Sequence, residues 1–239
     1  MGARSVLVLG AGIAGLAVAH ALRHRLDPGD AVTVVDARRS HEFRPALLQV
    51  AIGAAAPAKI RRDLAPLGGQ GIRVVTGRVR AILPESRAAV VDGRVLTADA
   101  LVVALGARMM PAALPGLEAA HNLYTAEGAA AVASGLATLD RGRLAVVAAP
   151  GPYTCPLGPY EFAMMADHEL RRRGRRDAVD ITVFSADAEL LPGLGGSVNH
   201  PLGRWLAARG VAQPDRGAAR RRRPVGPPAE LGGRVHHRL

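Results

Sequence analysis

The chain has 239 residues, which is long enough for one large domain or two ordinary domains with a buried core. No run of eighteen or more apolar residues lacks charge, so we expect no membrane-spanning helix, and only peripheral membrane contact stays open. The net charge of +11 depends on thirty arginines against the single Lys59, a bias typical of GC-rich coding, so we expect no specific nucleic-acid partner.

The first apolar run, SVLVLG, begins at Ser5 and leaves no room for a secretory signal peptide. We therefore expect a cytoplasmic location, with a peripheral place at the inner face of the plasma membrane left open. Cys155 is the only cysteine, which rules out an internal disulfide and a CxxC pair. Since no histidine pair has metal-binding spacing, we predict no metal site.

The segment from Ser5 to Asp36 predicts a strand, a glycine-rich turn, a helix and a second strand. Both strands, SVLVLG and AVTVVDA, are continuously apolar rather than alternating. Continuous apolar strands are typical of a parallel sheet that is covered on both faces. The fold class is therefore predicted to be α/β, beginning with a Rossmann-like domain.

The turn after the first strand carries a dinucleotide-binding pattern, G-x-G-x-x-G. Its candidate cofactor-binding residues are Gly10, Gly12, Ile13, Ala14 and Gly15. Glycines permit the tight turn and a close approach of pyrophosphate, and the helix N-terminus offers free N–H groups and partial positive charge. Asp36, twenty-one residues after Gly15, can accept hydrogen bonds from a ribose hydroxyl. The pattern alone leaves FAD and NAD open.

The middle of the chain predicts a loop with a helix over residues 41–69 and strands over residues 72–85 and 88–107. Asp92-Gly93 marks a hairpin turn between two of these strands. A second strand–helix–strand unit follows, made of LAVVAAP, EFAMMADHELRRRGRR and DITVFSA. The alternation is then expected to stop, and the arginines that end the helix are expected to form a solvated face.

Three parts follow from this order of elements. We predict a Rossmann-like domain over residues 1–140, a partial second βαβ-type domain over residues 141–211, and a basic tail over residues 212–239. The tail is rich in Arg, Pro and Gly and has few aliphatic residues. Such a segment cannot bury enough apolar surface to offset its ordering entropy, so we expect disorder there.

The loop that opens the second unit, PGPYTCPLGPYE, is unlike a phosphate-binding turn. Its prolines lack N–H donors, and Tyr153 and Tyr160 occupy space that a pyrophosphate would need, so stable NADH binding is disfavoured. Cys155 stands just before the predicted helix, whose dipole favours a thiolate, and Glu161 can move a proton. The alternative is that Cys155 is a small buried hydrophobic residue.

The order of elements resembles the flavoproteins with two dinucleotide-binding domains, in which the first fingerprint binds the ADP half of FAD. By this resemblance Arg44 and Pro45, in HEFRP, lie beside the flavin ring, and Val79 offers its backbone to the adenine. Ala104 and Gly106 stand where a small-Thr-Gly turn closes over the FAD, with Leu in place of Thr. FAD is therefore the cofactor that the resemblance implies.

The segment YTCPLGPYEFAMM resembles the redox-cysteine segment of sulfide:quinone oxidoreductases and flavocytochrome c sulfide dehydrogenases, with its Cys-Pro-x-x-Pro-Tyr-Glu pattern. The resemblance covers residues 4–211. It implies that sulfide is oxidised at Cys155 and that electrons pass through FAD to a quinone.

Two departures from that family shape the expectation. Family members use a second redox cysteine and a C-terminal part that carries the quinone site, and neither follows Val211 here. We therefore expect a truncated or frameshifted chain. Three alternatives stay open: a type II NADH:quinone oxidoreductase, a non-catalytic FAD-binding fragment, and a basic nucleic-acid binder supported only by the arginine tail.

Overall fold

A computed structural model describes residues 3–110, 116–148 and 153–214. The strands are β1 (Ser5–Leu9), β2 (Ala31–Asp36), β3 (Ser40–Glu42), β4 (Arg61–Asp63), β5 (Ile72–Thr76), β6 (Val79–Leu83), β7 (Ala88–Val91), β8 (Arg94–Thr97), β9 (Ala100–Val103), β10 (Gly142–Ala148), β11 (Val179–Ser185) and β12 (Val211–Ala212). The α-helices are α1 (Ile13–Arg25), α2 (Leu47–Ala51), α3 (Ala126–Thr138), α4 (Gly158–Arg172) and α5 (Gly196–Ala208). Short 3₁₀ turns connect several of these elements.

The first unit is a parallel sheet of four strands in the order β5-β2-β1-β9. Its strands bury apolar side chains on both faces, as the continuous apolar runs predict. The chain leaves β1 toward β2 on one side, and β9 adds on the other side, so the topological switch point lies at the carboxyl end of β1. Ligands of open α/β sheets bind at such a point.

Two antiparallel groups flank that sheet. The predicted hairpin at Asp92-Gly93 is confirmed between β7 and β8, with positive φ at both residues. The pairing of β3 with β4 was not expected, because each strand has only three residues. The region predicted as a loop with a helix thus contains the short helix α2 and the two-stranded antiparallel pair of β3 and β4.

The second unit is a parallel sheet in the order β10-β11-β12, with α4 packed against it. The predicted βαβ start is confirmed, but α4 begins at Gly158 rather than near Glu161. The expectation that the alternation stops after β11 is wrong, because α5 and β12 continue it. Ala212 of the predicted tail lies in β12, and residues 215–239, where disorder was expected, lie outside the described residues.

The arginines that end α4 are not a uniformly solvated face, contrary to the expectation from sequence. Arg176 donates from Nε to Oδ1 of the buried Asp167 at 2.5 Å and from its guanidinium to the carbonyls of Arg209 and Gly210, just past α5. Arg173 donates to two carbonyls in the last turn of α3. These side chains satisfy carbonyls that helix ends leave without partners.

The largest hydrophobic cluster joins helices that precede the second unit to elements of that unit. Val50 of α2 and Ala129 and Leu136 of α3 belong to the same buried cluster as Leu170 of α4 and Ile181 of β11. Separate clusters cover the two faces of the first sheet. The domain boundary at residue 140 stays a prediction, and α3 packs with the second unit although it precedes that residue. No helix within the described residues is long and apolar enough to cross a bilayer.

Candidate functional site

The glycine turn lies at the carboxyl end of β1, where its glycines let backbone segments approach closely. Gly10 has a φ of +104°, and a Cβ there would lie 2.3 Å from the carbonyl oxygen of Ala104. A Cβ on Gly15 would lie 1.8 Å from the carbonyl oxygen of Gly10. Three predicted site residues, Gly10, Gly15 and Ala104, are thus in direct contact, and side chains are excluded at both glycines.

The start of α1 offers free donors toward open space. Gly12 is the N-cap, and a Cβ on it would meet no atom within 4 Å. Among the described residues, no acceptor binds the backbone N–H groups of Gly12, Ile13 or Ala14. Unpaired N–H groups at a helix N-terminus, beside a glycine that leaves the approach clear, form an anion site. The residues present therefore fit the pyrophosphate of a dinucleotide.

Asp36 ends β2 next to this turn and organises it. Its Oδ2 accepts from the backbone N–H of Ala11 at 2.8 Å, and its Oδ1 accepts from the backbone N–H of Arg38 at 2.9 Å. The side chain is 15% exposed. A carboxylate has about four lone-pair positions, so Asp36 retains acceptor capacity for a ribose hydroxyl.

His41, on β3, is a site residue that sequence reasoning missed. Its Nδ1 lies 2.9 Å from the carbonyl oxygen of Ala11 and acts as a donor in the tautomer protonated there. Asp36 holds the N–H of the buried Ala11 while His41 holds its carbonyl. Both polar groups of this residue are thus fixed, which leaves the Gly12 peptide facing outward. A lone histidine carries no sequence signal for this contact.

The other predicted cofactor residues lie on segments around the same edge. Arg44 and Pro45 form an exposed 3₁₀ turn, and no ion-pair partner of Arg44 is found in the described part of the chain. Val79 is half-buried and begins β6, which is paired with β7. Gly106 has a φ of +72° with open space beside it. No hydrogen bond or ion pair among the described residues joins these four residues to the glycine turn.

Large apolar side chains are exposed on the segments that flank this edge. Ile13, Phe43, Val103 and Leu105 each expose between 48% and 56% of their surface. Isolated exposed apolar residues are ordinary, but several on neighbouring segments mark a binding surface. This surface suits an apolar ring system or a further protein segment.

The cysteine segment lies at the equivalent place in the second unit, after β10 and before α4. Cys155 is a free and exposed thiol, so the alternative of a small buried hydrophobic residue is wrong. The hydroxyl of Tyr124 donates to its carbonyl oxygen at 2.6 Å. Tyr153 donates to Asp187, beyond the end of β11. The segment is therefore tethered on both sides of the thiol.

The first turn of α4 has few donors left for an anion. The N–H of Gly158 donates to the Cys155 carbonyl at 3.3 Å, and that of Tyr160 donates to Leu157 at 3.0 Å. Pro159 has no N–H. Compared with the start of α1, this turn fits phosphate poorly, as its sequence predicts. Pro150 and Pro152, which also entered that prediction, lie outside the described residues.

The two tyrosines that bind this segment remain protonated. Burial, reinforced by the nearby Cys155, raises the pKa of Tyr124 to about 12. Burial and the hydrogen bond to Asp187 also raise the pKa of Tyr153. The Tyr160 hydroxyl is buried without a hydrogen-bond partner among the described residues. Tyr124 and Tyr153 therefore act as donors over the physiological pH range.

Among the described residues, no hydrogen bond or ion pair joins the Glu161 side chain to Cys155. Glu161 is exposed in the first turn of α4 and lines a cavity of about 790 Å³ together with Met164, Met165 and His168. Within the described ranges there is also no cluster of three or more metal-binding side chains.

Known proteins share this arrangement over much of the chain. Sulfide-quinone reductase of Aquifex aeolicus (strain VF5) is 31% identical over 204 residues, which are 82% of this chain and 47% of that protein. The mitochondrial sulfide:quinone oxidoreductase of Dictyostelium discoideum is 24% identical over 218 residues, 87% of this chain and 47% of that protein. The chain spans about half the length of the curated relatives it matches.

The solved structures agree with the fold and with the resemblance. The crystal structure of the sulfide:quinone oxidoreductase from Aquifex aeolicus has a TM-score of 0.77 and 29% identity, over 88% of this chain and 50% of that one. The predicted Rossmann-like α/β fold and the resemblance to sulfide:quinone oxidoreductases are confirmed. The family model for pyridine nucleotide-disulphide oxidoreductases matches residues 4–151. The chain therefore belongs to the pyridine nucleotide-disulphide oxidoreductase family.

Proposed function

We propose that this chain is the FAD-binding and thiol-bearing part of an oxidoreductase that oxidises sulfide and passes the electrons to a quinone. The observation that carries the proposal is the exposed Cys155 thiol, tethered just before a helix whose first turn is poor in free phosphate donors. The same segment carries the Cys-Pro-x-x-Pro-Tyr-Glu pattern, and curated relatives are named for sulfide and quinone. A lipid-soluble quinone is reached at a membrane surface. We therefore propose that the chain is cytoplasmic and contacts the membrane peripherally.

FAD is the cofactor of this family and of the sulfide:quinone relatives. The unpaired N–H groups at the start of α1 bind its pyrophosphate, and Asp36 accepts from a ribose hydroxyl. Arg44, Pro45 and Val79 are proposed to line the flavin and the adenine. When bound, FAD supplies reversible two-electron redox chemistry.

The residues of the second unit supply the sulfur chemistry. Cys155 would hold the substrate sulfur as a persulfide: an S–S bond forms between the Cys155 thiolate and sulfide, and the two electrons and the proton that are released would be taken up by FAD when it is bound. Cys155 lies three residues before Gly158, the first residue of α4. Glu161 is exposed in the first turn of that helix and is the proposed proton carrier between this segment and solvent.

A second candidate is a non-catalytic FAD-binding fragment. One observation favours it: this sequence has a single cysteine. A type II NADH:quinone oxidoreductase would need a second phosphate-binding turn before α4. The hydrogen bonds already made by Gly158 and Tyr160 argue against that turn.

The deciding experiment uses the purified full chain loaded with FAD and kept anaerobic. We expect sulfide to bleach the visible flavin band, and a short-chain quinone to restore it. Cys155→Ser, which changes one atom, is expected to bind FAD equally and to lose bleaching by sulfide. Bleaching by NADH alone would instead support the type II enzyme, and no bleaching of bound FAD by either donor would support the non-catalytic fragment.

A further inference from the structure

All three tyrosines of the chain lie on or against the segment that carries Cys155. Tyr153 and Tyr160 belong to the segment itself, whereas Tyr124 comes from the turn before α3, thirty-one residues earlier. Its hydroxyl donates to the carbonyl oxygen of Cys155 at 2.6 Å. Within the described part of the chain, the same carbonyl receives one other donor, the Gly158 N–H, at the longer distance of 3.3 Å. Tyr124 therefore makes the shorter of the two contacts that hold this peptide.

The phenol of Tyr124 fits closely against the start of α4. A Cβ on Gly158 would lie 3.0 Å from the Tyr124 hydroxyl oxygen, so a glycine is what allows the ring to sit there. The ring itself is carried by an ordered turn. Asn122 accepts the backbone N–H of Tyr124 with its side chain, and Thr125 caps α3 by accepting from Gly128. The contact thus joins two ordered helix starts.

Tyr124 keeps its donor role across the physiological pH range, because burial raises its pKa to about 12. The neighbouring Cys155 adds to that shift, which agrees with a short separation between the phenol and the thiol. Asp187 is the charged partner of Tyr153, the other tyrosine that tethers the segment.

We infer that Tyr124 is a positioning residue for the sulfur chemistry at Cys155, holding the thiol beside the N-terminus of α4 through the Cys155 carbonyl. The inference rests on the proposed function, in which this thiol takes up the substrate sulfur. The sulfur sits three residues before Gly158, and the tether fixes the peptide that carries it. A thiol whose peptide is held in one place is in its reactive geometry for more of the time than a thiol on a loosened loop, so loss of the tether should slow its reactions.

The test compares Tyr124→Phe with Tyr160→Phe in the full chain loaded with FAD. Both substitutions remove one phenolic hydroxyl near the thiol, but only that of Tyr124 has an acceptor in the described structure. The first readout is the rate of Cys155 alkylation by iodoacetamide at pH 7. Losing one hydrogen bond is expected to lower this rate about fivefold in Tyr124→Phe and to leave it unchanged in Tyr160→Phe.

The second readout separates positioning from general damage. Flavin reduction by sulfide is expected to slow about fivefold in Tyr124→Phe, whereas reduction by dithionite, which needs no thiol, stays at the wild-type rate. Equal alkylation of Tyr124→Phe and wild type, or equal slowing with sulfide and dithionite, would overturn the role of Tyr124. If sulfide fails to bleach wild-type flavin, the proposed function fails, and the alkylation ratio still reports the tether on its own.

Discussion

The turn after β1 has three residues and leads into α1, whereas the turn after β10 has nine residues and leads into α4. Both connect the first strand of a parallel βαβ unit to its helix. The first turn leaves N–H groups unpaired and keeps space open at Gly12. In the second unit the first turn of α4 uses the N–H groups of Gly158 and Tyr160 internally, and the segment before it presents a thiol. One backbone frame can thus support either a phosphate site or a reactive side chain, depending on which donors the start of its helix leaves free.

The two turns are also fixed by different means. The glycine turn is held by close backbone contact, which requires that Gly10 and Gly15 have no side chain. The cysteine turn is held by the hydroxyl of Tyr124, which reaches it from the turn before α3, and by its own Tyr153, which donates to Asp187 beyond the end of β11. Steric fixation cannot be relaxed without moving backbone, while a hydrogen-bond tether can be removed one atom at a time. Substitutions in the first turn should therefore cost more than those in the second.

The largest effect is expected for Gly15→Ala. The new Cβ would lie 1.8 Å from the Gly10 carbonyl, so the turn or α1 must move. We expect a loss of about 3 kcal/mol or more in the free energy of unfolding, measured by urea denaturation. Gly12→Ala is the matched control, because its Cβ meets no atom within 4 Å. Equal stability of the two variants would contradict the close contact.

Asp167→Asn is expected to weaken the second unit by about 3 kcal/mol, because it leaves the guanidinium of the largely buried Arg176 without its anion. Urea denaturation measures the loss. Glu169→Gln, whose partner Arg172 is exposed, should cost less than about 1 kcal/mol. Since Asp167 lies on α4, the variant should also loosen the cysteine turn while the glycine turn keeps its FAD affinity. A parallel loss of FAD affinity would show that the two turns are not independent.

Gly12→Ala also tests whether the glycine turn binds the cofactor. Its methyl group would occupy the open approach beside the unpaired N–H groups of Ile13 and Ala14. We expect FAD affinity to fall about tenfold, with little change in the free energy of unfolding. The quenching of flavin fluorescence on binding measures the affinity. Unchanged FAD affinity in Gly12→Ala would argue against pyrophosphate binding at this turn.

Sequence predicted the parts of the molecule that depend on local pattern. The glycine turn, the apolar strands and the Asp92-Gly93 hairpin each follow from residues that are close in the chain. Helix α5 was missed because Pro201 lies inside it, and β3 and β4 were missed because a three-residue strand has no measurable period. The tethers made by Tyr124 and His41 join residues thirty or more positions apart, and no local pattern encodes such contacts.

The smallest effect is expected for His41→Phe, which keeps a ring but removes the contact with the Ala11 carbonyl. Asp36 would still hold the Ala11 N–H, so the glycine turn stays folded but loses one of its two fixed points. We expect FAD affinity to fall about fivefold, equivalent to one hydrogen bond, by the same fluorescence titration. His168→Phe on the exposed face of α4 is the matched control and should not change the affinity. Equal affinity in both variants would mean that Asp36 alone orients the turn, and the first turn would then be fixed by steric contact and one carboxylate.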